Sequence, residues 1–345
     1  MCKIERIADE SIWRDFVHNQ NHNLFIQSPE HGKFNKAMGD DYFILGIYKD
    51  SVLLGGSLVL AMHARRGNFL YLPYGPIFDQ KVVDAEKKEI LKTFTDYLQN
   101  YAKNNGFVFL RVSPFIKADE KTKQIFRYAG YRDAPIHILA EHTWILDLEQ
   151  SEKKILQDMK KNHRNLIRRC LKEGVKIDVD AKKESLDKFN LMHDETAKRH
   201  NFTRFSKKYI EKEFSILSKE NEILVLTSYL SNNELDASAI VIYFGNTAVY
   251  RHGASYTKDK KIPTSYLLQW EAIKEAKRRG MKWYNFWGIA PEDAPQNHPF
   301  KGITHFKKGF GGFEIEMMPC QDLIVSWRYW FNWVIETFRR IKRGF

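Results

Sequence analysis

The chain has 345 residues, of which 43% are hydrophobic and 14% aromatic, and this apolar content excludes a mainly disordered protein. Lys and Arg number 55 against 43 Asp and Glu, so the formal net charge is +12, which favours a polyanionic partner such as a nucleic acid, a phosphate group or an anionic membrane surface. Three widely spaced cysteines exclude a disulfide framework and a zinc site, so a reducing cytoplasm is the simplest location.

The first part of the chain is predicted to be rich in strands. Its opening sequence, MCKIERIADESIW, has charged residues where a signal peptide needs an apolar run, and no run of about 18 apolar residues predicts a spanning helix. Turn residues separate three strand-like runs, at 42–48, 51–61 and 68–73. The elements expected next are a helix from Asp84 to Gly106, a strand at 107–112, a short helix near 119–129 and a strand at 143–148.

The second part of the chain opens with a strongly basic helix at about 151–172. The elements expected after it are a strand at 175–179, helices near 184–199 and 206–218, strands at 223–230, 238–244 and 247–253, a helix from Thr264 to Gly280 and a strand at 282–287. Both parts therefore contain three strands joined by turns, then a helix, then a strand. We interpret this order as two related α/β units, each with a mixed sheet, that meet near 147–151.

Five segments have sequences more distinctive than this general order of helices and strands. The most specific are SYLLQWEAIKEAKRRGMKWYNFWGIA at 265–290 and HFKKGFGG at 305–312. A basic helix followed by Gly-Val and a strand at 158–177, the run YRHGAS at 250–255, and the opening motif FIQSPEHGKFNKAMG at 25–39 accompany them. In this order and approximate spacing, the segments resemble those of the Fem family of aminoacyl-tRNA-dependent transferases over nearly the whole chain.

The resemblance implies two GNAT-like domains in tandem, with mixed α/β sheets. Residues 1–150, completed by the C-terminal segment, would bind the precursor, and residues 151–345 would bind aminoacyl-tRNA and carry the chemistry. The chain has no room for the helical arm that some members insert between strands 223–230 and 238–244, so it resembles the armless members.

The activity implied by the resemblance is transfer of an amino acid from aminoacyl-tRNA to a stem-peptide amino group of a peptidoglycan precursor. No cofactor and no metal are expected. The acceptor stays open between UDP-MurNAc-pentapeptide and lipid II, and the amino acid, its position in the bridge and the oligomeric state are equally open.

The segment 305–312 is the candidate catalytic motif. Transfer of an aminoacyl ester to an amine passes through a tetrahedral oxyanion, which a fixed cation stabilises. Lys307 follows the aromatic Phe306, and three glycines beside them let a backbone approach a ligand closely. The resemblance assigns the stabilising role to Lys307, with Lys308 as the neighbour that could be confused with it. The plain alternative is a basic turn before a strand.

A second candidate site is the run from Arg204 to Tyr209, which the resemblance assigns to a phosphate-bearing precursor. Arg suits phosphate because its planar fork makes two parallel hydrogen bonds. Arg204 and Tyr209 match the family, whereas Lys208 stands where relatives have an aromatic residue. The alternative is an ordinary basic helix start.

Two further positions follow from the same resemblance. The opening motif has His31 where the family usually has Trp, and its phosphate-binding Lys corresponds to Asn35 or, one residue later, to Lys36. In the run 250–255, Tyr250 is a substrate-binding candidate, and either it or His252 could assist proton transfer.

The basic helix carries a stripe of cations at i, i+4 spacing: Lys160, Arg164, Arg168 and Lys172. Such a stripe can follow a tRNA backbone, although it can equally be a solvated face. The opposite side, expected to face the core, consists of Ile155, Met159, Leu166 and Cys170.

The C-terminal segment 322–345 combines dense aromatic residues with a cluster of Arg and Lys. An interfacial helix binds anionic lipid in this way, which would place the protein in the cytoplasm at the inner face of the plasma membrane. The alternative is a terminal helix that packs on the second domain.

Two other functions remain open at this point. A GNAT-type transferase could use acyl-CoA, although neither half shows a clear phosphate-cradling turn. A non-catalytic RNA- or membrane-binding relative could keep the fold. Because no Gly-x-Ser-x-Gly run occurs, no covalent enzyme nucleophile is expected.

Overall fold

The computed structural model describes residues 2–22, 24–65, 67–200, 202–296, 298 and 300–343. The chain forms two compact units. Unit 1 consists of Met1–His142, Ala290–His298 and Ile315–Phe345, and unit 2 consists of Thr143–Ile289 and Pro299–Glu314.

The helices and strands up to residue 133 all lie in unit 1. In chain order they are β1 (Lys3–Arg6), α1 (Glu10–His18), α2 (Pro29–Met38), β2 (Asp41–Lys49), β3 (Val52–Met62), β4 (Phe69–Tyr74), β5 (Ile77–Phe78), α3 (Asp84–Asn104), β6 (Phe109–Pro114), α4 (Glu120–Tyr128) and β7 (Arg132–Asp133).

The remaining elements begin at residue 142. They are β8 (His142–Asp147), α5 (Glu152–Asp158), α6 (Lys161–Lys172), β9 (Lys176–Asp180), α7 (Lys183–His200), α8 (Lys207–Leu217), β10 (Ile223–Tyr229), β11 (Leu235–Phe244), β12 (Thr247–Ser255), α9 (Ser265–Arg278), β13 (Trp283–Gly288), α10 (Lys301–Lys308), β14 (Phe313–Glu316), β15 (Gln321–Ile324) and α11 (Tyr329–Arg343).

The two sheets have the same strand arrangement. One has the order β1-β2-β3-β4-β6-β15-β7, with β5 paired to β3, and the other has the order β9-β10-β11-β12-β13-β8-β14. The fourth and fifth strands of each sheet, β4 with β6 and β12 with β13, are parallel. The expectation of two related mixed α/β units is confirmed.

The sixth strand of each sheet comes from a distant part of the chain. β15, near the C-terminus, pairs with β6, and β8, which precedes the second set of strands, pairs with β13. The expectation that the strand at 143–148 belongs to the first part of the chain is wrong. A strand can join a sheet only at an unpaired edge. Because β15 occupies the edge of β6, β8 pairs with β13 instead.

Each unit has its own hydrophobic core. In unit 1, helices α3 and α4 contribute to the core with side chains such as Phe94 and Phe126. In unit 2, α6 and α9 contribute with Cys170 and Ile273. Residues 230–234 join β10 to β11, so the described residues contain no helical arm at this point. Among these residues, no helix is both long and apolar enough to cross a membrane.

The basic segment 151–172 is two helices rather than one. The helical path stops at Met159, and the Lys160 N–H donates to the Gly309 carbonyl at 2.9 Å. The Arg164 guanidinium donates to the carbonyls of Gln157 and Met159 and so satisfies groups that the break leaves without helical partners.

Candidate active site

The parallel strands β12 and β13 part towards their carboxyl ends. They pair over three residues, ending at Val249 opposite Asn285, whereas β4 and β6 in unit 1 pair over six. Arg251 is an extra residue in β12 against β11, and β13 has a second irregularity against β8 after Asn285. Irregularities of this kind bend strands and often lie beside active sites. Ligands of open α/β sheets bind outside the carboxyl ends of parallel strands, so this opening is a candidate site.

Lys307 lies beside this opening, in the last turn of α10. Its Nζ donates to the carbonyl of Gly288 at 2.6 Å, at the end of β13 and beyond the residues that pair with β12. The side chain is 7% exposed, and burial lowers its pKa to about 7. Among the described residues no carboxylate forms an ion pair with it. A cation in this position lacks a protein counter-charge and can respond to negative charge on a bound substrate.

Lys308 is distinguished from Lys307 by its contacts. Its ammonium forms an ion pair with Glu314 at 3.1 Å and lies 5.0 Å from the centre of the Trp144 ring. The structure therefore gives Lys308 a structural partner and leaves Lys307 as the candidate for catalysis.

Phe306 belongs to an aromatic cluster that the sequence analysis did not predict. The His163 ring lies 4.8 Å from Tyr266 and 4.9 Å from Phe310, and the Phe306 ring lies 5.1 Å from that of Tyr266. His163 Nε2–H donates to the Phe306 carbonyl at 2.9 Å, and burial lowers the pKa of the imidazole. The cluster fixes the turn of α10 that carries Lys307. His163 falls between Met159 and Ile167 at helical spacing, which was the available signal.

The glycines of this motif serve packing within the protein. A Cβ on Gly309 would lie 1.9 Å from the His163 ring, and one on Gly312 would lie 2.3 Å from the Ile145 carbonyl. Gly312 also has φ of +96°, which favours glycine. The expectation that these glycines open the backbone to a ligand is corrected at these two positions, because protein atoms occupy the space.

A buried polar cluster lies along β12 and α8. Arg251 forms an ion pair with Glu213 at 2.9 Å and donates to the Tyr209 hydroxyl at 2.9 Å. Although burial opposes ionisation, Arg251 lowers the pKa of Glu213 to about 2, and burial raises that of Tyr209 to about 12. The guanidinium also lies 5.7 Å from the centre of the Phe205 ring and 5.6 Å from that of Trp287, in β13. Arg251 and Glu213 were not among the predicted site residues, because they are 38 residues apart and share no local pattern.

The structure places the predicted precursor-binding residues in different surroundings. Arg204 donates to Asn190 and Asp194 of α7, so its guanidinium holds the segment before α8. Lys208 is exposed, and Tyr209 is half-buried beside Arg251. Their roles as precursor contacts stay predictions.

The other predicted residues lie on separate elements. Lys36 is exposed on α2, and the side chain of Asn35 donates to the His31 carbonyl at 2.7 Å. Burial raises the pKa of Tyr250 to about 12, and its hydroxyl lies against Gly253. His252 lies 3.4 Å from Glu213, and burial lowers the pKa of the imidazole.

The cationic stripe is divided by the break between α5 and α6. Lys160, Arg168 and Lys172 are exposed, whereas Arg164 is half-buried and occupied by backbone carbonyls. On the opposite side, Ile155, Met159 and Cys170 are buried as expected. Leu166 is only half-buried, and His163 and Ile167 are the side chains of α6 that are buried beside Cys170.

Unit 1 contains a cleft of about 470 Å³. Its walls include apolar side chains such as Leu24 and Phe115, and three lysines, Lys87, Lys117 and Lys121, lie at it. None of the predicted site residues lines it. Because five separate stretches of the chain, 20–24, 74–80, 84–91, 115–126 and 315–317, form its walls, no single sequence motif could have predicted it.

Comparison with known proteins identifies the family. The FemAB family model matches residues 9–232 and 215–333. The chain belongs to the FemAB family. It is 19% identical over 388 residues to a lipid II:glycine glycyltransferase of Staphylococcus epidermidis, covering 90% of this chain and 92% of that protein. It is 21% identical over 387 residues to the aminoacyltransferase FemA of the same species, covering 88% and 91%.

Solved structures agree with the fold of a FemAB protein. FemX superimposes with a TM-score of 0.85 at 16% identity, over 97% of this chain and 100% of that chain. A tandem GNAT protein from the clavulanic acid pathway superimposes with a TM-score of 0.58 at 9% identity, over 94% and 99%. The expected pair of GNAT-like units is confirmed. At the level of the family, the expectation of an aminoacyltransferase that acts in peptidoglycan bridge formation is also confirmed.

Proposed function

We propose that this protein transfers an amino acid from aminoacyl-tRNA to a stem-peptide amino group of a peptidoglycan precursor. The observation that carries the proposal is the buried Lys307, which has no carboxylate partner among the described residues and lies at the carboxyl end of β13, where β12 and β13 separate. Lipid II is the proposed acceptor, since one relative is named for that substrate. The soluble UDP-linked precursor is the alternative that the experiment distinguishes.

The proposed reaction is a direct attack of the acceptor amine on the ester carbonyl of the charged tRNA. A C–N bond forms, and the carbonyl oxygen gains negative charge. The bond between the carbonyl carbon and the ribose oxygen then breaks, and the ribose oxygen takes the proton that the amine loses. The ammonium form of Lys307 stabilises the oxyanion, because a fixed cation in a water-poor site interacts strongly with developing charge. That negative charge in turn favours the protonated lysine.

We assign the donor and the chemistry to unit 2 and the acceptor to unit 1. The cleft of unit 1 has apolar walls suited to the apolar groups of a substrate, and Lys117 at its edge is a candidate contact for a phosphate group. Lys87 and Lys121 at the same cleft form ion pairs with Asp84. Lys36, Lys208 and Tyr209 remain proposed precursor contacts. Arg204 is proposed as a positioning residue, since its hydrogen bonds hold the segment before Tyr209.

The proposed tRNA contacts are Lys160, Arg168 and Lys172. Their side chains are exposed, and cations at helical spacing can neutralise successive phosphates. Arg164 differs, because its guanidinium binds the carbonyls at the break between α5 and α6.

A transfer assay tests this function. Purified protein is mixed with tRNA charged with a pool of radiolabelled amino acids, and with lipid II or UDP-MurNAc-pentapeptide. We expect label in lipid II that is lost after RNase treatment, and weaker transfer with a flatter salt dependence for the double variant Arg168→Glu/Lys172→Glu.

Label in the UDP-linked precursor alone would change the acceptor. No label in either precursor from a folded protein, together with transfer from acyl-CoA thioesters, would contradict the proposed donor. The proposal also places the protein at the inner face of the plasma membrane, where a lipid-linked acceptor lies.

A further inference from the structure

The C-terminal helix α11 turns its polar side towards the protein. Tyr329 donates through its hydroxyl to Asp322 at 3.0 Å, and Glu336 forms an ion pair with the buried Arg111 at 2.7 Å. Asn332 is buried between them on the same side. Arg111 also forms an ion pair with Asp322 at 2.7 Å, so a buried ionic network holds α11 in this orientation.

The outward side of the same segment is apolar. Seven of the 21 exposed large hydrophobic side chains in the described part of the protein lie here, with exposed fractions of 38% to 71%: Trp327, Trp330, Phe331, Val334, Ile335, Phe338 and Ile341. Their spacing of three and four residues places them on one face of the helix. A surface helix of a globular protein normally has the opposite orientation, so this face is built for a partner.

The charges around this face indicate which partner it fits. Glu336 is the one acidic residue of 326–345, and it points inward to Arg111. In the described part of 326–345, the exposed charged residues are Arg328, Arg339, Arg340 and Lys342. In unit 1, Arg132 adds another cation, since its guanidinium lies 4.9 Å from the centre of the Trp330 ring.

We propose that the outward face of α11, together with Trp327, is a membrane-binding surface for anionic phospholipid. Tryptophan and phenylalanine enter the boundary between headgroups and acyl chains, and flanking cations bind the anionic headgroups. A second copy of the chain fits less well, because it would bring two sets of cations together. This inference goes beyond the proposed transfer reaction and depends on neither its donor nor its acceptor.

Vesicle sedimentation of the full chain tests the proposal. The probes are vesicles of phosphatidylcholine alone and of an equimolar mixture with phosphatidylglycerol. We expect binding to the anionic vesicles that weakens with added salt, and at least about a tenfold loss of affinity for Phe331→Ser/Phe338→Ser. The matched control, Val52→Ser/Leu191→Ser, removes two equally exposed apolar side chains elsewhere and should bind like the unchanged protein.

Three outcomes would overturn the proposal. They are no binding of the folded protein to anionic vesicles, equal loss in the control variant, and a dimer without vesicle binding that the α11 variant dissociates. Circular dichroism establishes that both variants are folded. Transfer to detergent-solubilised lipid II, measured on the same samples without vesicles, separates a failure of this proposal from a failure of the proposed reaction.

Discussion

Lys307 carries an amine at a place where the protein interior penalises charge. The same burial that lowers its pKa to about 7 makes its ammonium an effective partner for an oxyanion. Burying the ammonium of Lys307 lowers the stability of the folded protein, as is common for groups in active sites. The ionic network at Arg111 differs, since two carboxylates compensate that charge.

Replacing Lys307 with Met should stabilise the protein in a pH-dependent way. The unfolded lysine keeps its proton up to its ordinary pKa of 10.5, whereas the folded one loses it near pH 7. Between these values the unfolded state binds more protons, so the stability of the unchanged protein rises with pH by up to about 1.4 kcal/mol per pH unit from this group. Lys307→Met removes this dependence.

Denaturant unfolding at several pH values between 7 and 9 measures the effect. The variant should be the more stable protein at pH 7, and its advantage should shrink as the pH rises. If the stability advantage of the variant did not change with pH, the pKa of Lys307 in the folded protein would not be lowered, which would contradict this prediction.

The sequence could identify Lys307 but could not predict its state. The motif and the resemblance pointed to this residue, whereas its lowered pKa depends on the packing of α10 against the end of β13. Arg251 and Glu213 were missed for a related reason, since their pairing joins α8 to β12 and leaves no local pattern.

At the scale of elements, α10 positions Lys307, the proposed catalytic residue, through close contact with α6. Helical periodicity, and apolar runs bounded by turn residues, predicted most helices and strands of both units. It failed at α10, because the glycines of 305–312 suggested a loop, and at 151–172, because the cationic stripe keeps its spacing across the break. The break itself depends on the bond from Lys160 to Gly309, a contact between distant segments.

Gly309, at the C-terminus of α10, and Gly302, near its start, give a matched test of the packing between α10 and His163 of α6. A Cβ on Gly309 would lie 1.9 Å from the His163 ring, whereas one on Gly302 meets no atom within 4 Å. Gly309→Ala should therefore displace the turn that carries Lys307 and lower both the melting temperature and the transfer rate. Gly302→Ala, in the first turn of α10, should leave the rate unchanged and raise stability slightly, because alanine favours the helical conformation more than glycine does.

Thermal unfolding and the transfer rate of both variants measure this prediction. Equal transfer rates for the two variants would contradict the positioning role assigned to the packing between His163 and Gly309.

At the scale of the whole molecule, both units depend on strands that are distant in sequence. β15 completes the sheet of unit 1, and β8 completes that of unit 2. The order of elements in the sequence was sufficient to predict the duplication, because it repeats. It could not predict which sheet β8 joins, because the strand pattern of 143–148 fits either edge equally well.

The C-terminal segment shows the same limit. Its composition allowed either a membrane-binding helix or a helix packed on the second domain, whereas the resemblance implied that the segment completes the first domain. The segment lies in unit 1, where Glu336 and Tyr329 bind the polar network around Arg111 and Asp322. The inward polar side leaves the aromatic side exposed, and only the structure reveals this orientation.

The pH dependence of kcat/KM for Lys307→Met and the unchanged protein tests the central claim most directly. Transfer to the acceptor that the transfer assay identifies is measured from about pH 5.5 to about pH 8.5. Below pH 7 the rate should rise about tenfold per pH unit, as the acceptor amine, with a pKa of about 10, loses its proton. Above pH 7 it should level off, because Lys307 loses its charge at the same rate as the amine gains reactivity.

Lys307→Met should be about 10² to 10³ slower near neutral pH, the usual effect of removing one oxyanion-stabilising group, and its profile should continue to rise above pH 7. A variant that transfers at the rate of the unchanged protein and levels off at the same pH would contradict the assignment of catalysis to Lys307.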